Sequence, residues 1–333
     1  MSDAGAEGGA GGPAVDGAGA AAGAAAAETA AATTSAAAAA SAADEEKGGV
    51  VAAGGGSTVF DLVRASCASL VAAGKGVRVD EGAAAALAAA AVAEGASGGL
   101  IAAMAEVVRP PIVFDSIEAE VNYWCVLHML SFGEGWREDV KKEIGKGVSE
   151  TMMFGVLGLY LGGCTFDAAW MRGVSVAALA DALQLPISME VPIMPAVYET
   201  RAGPLKPLVE AAVRVLNDAG EALRREGCAD MAAFVLSNSG GGGGGGASAA
   251  ALVKRLAAAF PSFNDVAVAG AEAAPVRFYA NATLLASALH RLCGERDARC
   301  RFGDAAAMPA AATPALVAAL VRAGVVAVDE GVG

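Results

Sequence analysis

The sequence is poor in the residues most chemistries need. It has two histidines, His128 and His290, so a Ser-His-Asp or Cys-His mechanism has little to work with. None of the six cysteines forms a CxxC pair, which argues against a structural zinc site; no metal is expected. Basic residues are outnumbered, 23 Lys and Arg against 36 Asp and Glu, leaving a net charge of -13. Binding to long DNA or RNA needs many phosphate contacts, so intact nucleic acid is an unpromising partner, whereas one nucleotide needs only a local site. Lys and Arg are absent from the first 46 residues, which argues against a charged signal n-region and an Arg-rich transit peptide, so neither is expected. Long runs of bulky apolar residues are missing too. The mean hydropathy of +0.50 comes from alanine, and the stretch from Gly82 to Val108 carries Glu94 and Glu106, so no membrane span is expected. Reduced thiols in a cytoplasmic protein are the simplest reading.

Small residues fill much of the chain. Residues 1–57 are Ala, Gly, Ser and Thr with scattered acids and offer little burial to offset ordering entropy, so a disordered tail is expected. Residues 237–248 contain the run Gly240 to Gly246 and read as a flexible insertion. Ala305 to Ala312 is a third, shorter expansion. The remainder, 58–329, reads as one mainly α domain with one small β-hairpin. Apolar residues at 205, 208, 209, 212, 216, 219 and 223 repeat at helical spacing. Ser175 is placed to cap a helix ending before Pro186, and another stripe from Leu252 to Phe260 stops at Pro261. Val266 and Val268 alternate on one side of AGAEAA, and Val276 and Phe278 on the other, as in a hairpin. Asn281 is positioned to cap the next helix. Thr313, Pro314 and Gly324 fit the N-cap, first turn and C-terminal cap of the last one.

The bulky side chains concentrate in VNYWCVLHMLSFGEGWRE, residues 121–138. Val121, Trp124, Cys125, His128, Met129 and Phe132 share one helical face, and the opposite face is also apolar, which predicts a buried helix ending at Gly133. The stretch is either the centre of a core or the wall of a pocket. His128 reads as a core histidine, and His290, beside Arg291, as a surface one. GKG at 74–76 and 145–147 completes no phosphate loop. Lys141, Lys142 and Lys146 alternate with acids as on a solvated face, while Arg137 adjoins the aromatic corner and is the better anion ligand. Asp265, ending FPSFND, either caps a turn or lines a pocket. Asn217 lies mid-helix, where Asn is disfavoured, which implies a specific hydrogen bond.

The ordered series NYW…LSFGEGWRE, IGKG, GLYL, GPLKPLVEAAVRVLNDAGEAL, FPSFNDVAV…VRFY and LVRAGVV resembles the queuosine salvage proteins, in particular a fungal and algal branch, over residues 58–329. The resemblance implies a helical fold similar to that of DNA glycosylases and cleavage of the N-glycosidic bond of queuosine 5′-phosphate. No metal or organic cofactor is implied, and the chain is expected to act as a monomer. It also implies a carboxylate facing the sugar, aromatic residues around the base and a cationic or amide site for the phosphate. Trp124, Phe132, Trp136, Arg137 and Asn217 are the substrate-binding candidates. Aligned without gaps from Gly324, the family's acidic position falls on Thr313. With the alanine-rich stretch as an insertion, it falls on Asp304. Asp304 is therefore the first catalytic candidate and Asp265 the second. Related chains continue past this segment, so the alternative expectation is a truncated or inactive relative that binds a nucleotide or protein partner.

Overall fold

The computed structural model describes residues 57–72, 76–96, 112–237, 247–268, 275–311 and 314–328. The expected tail up to residue 56, the seven glycines and Thr313 lie outside the described residues.

The described chain begins with α1 (Val59–Ala72), where Thr58 and Asp61 form a reciprocal cap: the Asp61 carboxylate accepts from the Thr58 amide at 2.9 Å, and Thr58 Oγ1 accepts from the Asp61 amide at 3.3 Å. Strand β1 (Val77–Val79) precedes α2 (Glu81–Ala96). Helix α3 (Ile117–Met129) is capped by Ser116 and buries residues on all sides, as the bulky stretch predicts. Around it follow α4 (Arg137–Ile144), α5 (Val148–Leu161), α6 (Ala168–Gly173) and α7 (Val176–Leu183), the last capped by Ser175 as its sequence implies. Strands β2 (Ser188–Met194) and β3 (Val197–Ala202) lead into α8 (Lys206–Glu226), the long amphipathic helix, and α9 (Met231–Leu236). Then come α10 (Ala249–Ala259), β4 (Val266–Ala267), β5 (Val276–Arg277), α11 (Ala280–Cys293), α12 (Pro314–Arg322) and β6 (Val326–Val328). Gly324 takes the left-handed conformation, φ 72°, required to end α12.

The fold is mainly α, with one correction. Three antiparallel strand pairs occur among the described residues where one hairpin was expected: β1 with β6, β2 with β3, and β4 with β5. The β1–β6 pair joins segments far apart in sequence, matching Val77 to Val328, which local pattern cannot reveal.

Helix α3 packs between α11, α9 and α5, and α8 packs along α6 and α7. Close approach sets the last contact. A Cβ at Gly220 of α8 would lie 2.8 Å from both the Ala168 oxygen and the Arg172 nitrogen of α6. Asn217, one turn earlier, donates to the Met171 carbonyl at 2.7 Å, so the mid-helix Asn secures the end of α6.

Two ends differ from expectation. Helix α3 stops at Met129, four residues before Gly133, where the Ser131 hydroxyl donates to the Leu127 carbonyl at 2.8 Å. That bond competes with the helical pattern. Gly133, at φ 104°, then turns the chain into the short 3-10 segment Glu134–Trp136. Asn281 does not cap α11. The helix starts two residues earlier than that cap implies, at Ala280, whose amide is taken by Asp265 Oδ2 at 2.8 Å across the small hairpin.

Candidate functional site

Helices α3 and α11 run antiparallel. Glu120, in the first turn of α3, pairs with Arg296 just beyond α11, and the Ser131 carbonyl just beyond α3 accepts from Asn281 Nδ2 at 3.3 Å. The last turn of α3 therefore lies level with the first turn of α11. Asp265 is bonded to that first turn. Three buried polar atoms at this end, His128 Nδ1, Thr283 Oγ1 and Asp265 Oδ1, have no hydrogen-bond partner among the described residues. Leaving such a group unpaired costs about 1–3 kcal/mol, so three at one helix junction call for an explanation beyond packing. Tyr279, the residue just before α11, sits in the left-handed region at φ 46°, a conformation that costs a side-chain-bearing residue energy and recurs at functional sites.

The electrostatics suit an excluded-water site. Burial pushes the Asp265 carboxyl above its ordinary value, and the amides of Ala280 and of Asp265 itself offset only part of that. Burial pushes His128 down to about 4, so its imidazole is neutral at pH 7, as expected for a histidine packed in a core. Tyr123 is pushed up to about 12 for the same reason.

Asp304 is placed differently. Its carboxylate accepts from the Ala249 amide at 2.6 Å, the Ala250 amide at 3.0 Å and the Ser248 hydroxyl at 2.8 Å. Burial acts to raise its pKa, but the Ala250 and Ala249 amides and the Ser248 hydroxyl together hold it below the ordinary carboxylate value. This is a cap supplied from a distant segment to the start of α10, with both oxygens committed to it.

The aromatic corner is split. Trp124 is 3% exposed, its Nε1 has no hydrogen-bond partner among the described residues, and it packs edge-on against Tyr123 at 5.1 Å. Phe132 and Trp136 are half-buried against the same core. Arg137 faces solvent and lies 3.5 Å from Glu138. Two open clefts, of about 670 Å³ beside Phe154, Trp170 and Gln184 and about 560 Å³ beside Arg78 and Gly324, involve none of the residues nominated from sequence. His290 is half-buried: its Nδ1 accepts from the Phe302 amide at 3.0 Å and its ring stacks on Phe302, which corrects the surface reading.

Sequence reasoning missed Thr283. The available signal was a hydroxyl within NATLLASAL at a position where the helical period expects an apolar side chain. Among the described residues, no cluster of three or more His, Cys, Asp or Glu is placed to hold a metal ion, and no helix is long and apolar enough to cross a membrane.

Nothing among curated proteins matches the chain. A family model does: that of the queuosine salvage protein, over residues 188–331. The matched region contains Asp265, Thr283, Asn281, Asn217 and Asp304, and leaves the aromatic corner before it. Over residues 188–331 the chain is similar to the queuosine salvage protein family.

Proposed function

We propose that the protein hydrolyses the N-glycosidic bond of queuosine 5′-phosphate, with Asp265 as the carboxylate that faces the sugar. The observation that carries this reading is Asp265 Oδ1, buried and without a hydrogen-bond partner among the described residues, at the start of α11. As the bond breaks, its electron pair leaves with the deazapurine base and the sugar gains oxocarbenium character. A carboxylate oxygen in a poorly hydrated site stabilises that cation far better than one in water. Water then adds hydroxide to C1′ and a proton goes to the base, giving queuine and ribose 5-phosphate. The Thr283 hydroxyl and neutral His128 are further groups available to substrate or water. Phe132 and Trp136 are suited to hold the base, and Arg137 the phosphate once it leaves Glu138. Asp304 and Asn217 are assigned to the scaffold. A free nucleotide, and not intact tRNA, is the substrate that the net charge of -13 favours. The cysteines, free throughout, fit a cytoplasmic setting.

The test is incubation with queuosine 5′-phosphate and mass spectrometry for free queuine. Asp265→Asn is expected to lower the rate by about 100-fold or more, the scale of losing one preorganised electrostatic contact. Asp304→Asn is expected to retain the rate of the folded fraction. The opposite pattern would transfer the role to Asp304. A second reading, a relative that binds nucleotide without cleaving it, draws on the exposure of Arg137 and the position of both clefts away from the aromatic corner. Binding by calorimetry without queuine release would establish it.

A further inference from the structure

The β2–β3 hairpin is the most exposed apolar element described. Ile193, Met194 and Tyr198 are 58, 59 and 60% exposed, and every residue of β3 is exposed. Among the described residues its two strands pair only with each other. Pro192 interrupts the outer edge of β2 because it lacks an N–H, and the register shifts there. The outer edge of β3, Val-Tyr-Glu-Thr-Arg-Ala, has no such block. An open, unblocked edge with apolar side chains is a template for another strand.

We infer that this edge joins a second copy of the chain, β3 against β3, forming a four-stranded antiparallel sheet about a two-fold axis. Charge selects this occupant and its register. Outward-facing backbone groups alternate along a strand, so the axis must pass through a residue and not between two. Two registers keep most of the strand paired. An axis at Glu199 overlaps residues 197–201 and sets Glu199 directly against its own copy. An axis at Thr200 overlaps residues 198–202 and sets Glu199 of each copy against Arg201 of the other, with Tyr198 across from Ala202. Opposite charges facing across strands stabilise, and like charges oppose. Within one copy Arg201 and Glu199 already lie 2.6 Å apart on the same strand face, so the second register closes an alternating ring of four charges. The strand is thus self-complementary in the manner a two-fold interface requires. This departs from the monomer expected from sequence.

Sedimentation velocity over a concentration series tests it, at physiological ionic strength, where repulsion from the net charge of -13 is screened beyond about 8 Å. The wild-type chain is expected to shift from monomer to dimer with rising concentration. Glu199→Arg alone and Arg201→Glu alone set like charges face to face and should each weaken the dimer at least tenfold. An equimolar mixture of those two variants restores opposite charges at both contacts and should recover it. Thr200→Pro removes the central edge group and should abolish it. Circular dichroism matching the wild type establishes that each variant is folded. A wild-type chain that stays monomeric at every concentration overturns the inference. So does a dimer unaffected by the single substitutions, or a mixture no better associated than its components.

Discussion

Replacing Asp304 by alanine separates two roles that one carboxylate can play. The side chain accepts three hydrogen bonds at the start of α10, from two backbone amides and from Ser248. Loss of a capping carboxylate typically costs about 1–2 kcal/mol. Here the group is partly buried and the amides lose their charged partner, which places the expected loss near the upper end, at about 2 kcal/mol. The Ser248 hydroxyl still caps the Ala251 amide at 3.2 Å, so α10 should shorten and not unravel. Urea unfolding at pH 7 reads the loss directly as a lower midpoint at unchanged slope. The pH dependence supplies a second check. The folded-state pKa of Asp304 is depressed, so its stabilisation is present above the ordinary carboxylate value near 3.8 and disappears as pH falls through the folded value. Above that window, wild type and variant should differ by a constant amount, and the difference should vanish in acid. An Asp304→Ala protein with wild-type stability and no queuine release would refute the capping argument and make Asp304 the reacting group.

Three further outcomes follow from buried groups and close contacts. His128 falls from an ordinary 6.5 to about 4, so the unfolded chain takes up a proton first as pH drops. Stability should fall between those values by about 3 kcal/mol, at about 1.4 kcal/mol per pH unit, and His128→Leu should remove that slope in denaturation curves. Gly220→Ala places a methyl group 2.8 Å from two backbone atoms of α6 and should lower stability by about 1–3 kcal/mol, visible as a lower melting temperature. For Asp265, whose pKa is raised by burial, stability should instead decline as pH rises from 3.8 through the folded value. Asp265→Asn should flatten that decline in acid-range melts.

Much of the scaffold was legible because it is local. Helical spacing from Leu205 places α8, Ser175 caps α7, and Pro261 ends α10, each within a few residues of its cause. The apolar faces of residues 121–132 predict a buried α3, and the ordered motifs point to the queuosine salvage family. The exposed β2–β3 hairpin escaped notice because neither face is buried, so no apolar and polar alternation marks it. What tertiary structure alone decided is which carboxylate has both oxygens hydrogen-bonded and which has one. Asp304 and Asp265 look alike in sequence, each ending a short loop near a helix. Folding brings the start of α10 onto both oxygens of Asp304 from 55 residues away. It brings only one amide of α11 onto Asp265 and leaves the other oxygen buried without a hydrogen-bond partner among the described residues. Residue type determines that a carboxylate accepts hydrogen bonds, but long-range packing determines how many donors reach it, and that number sets whether both oxygens are committed to a helix start or one stays unpaired.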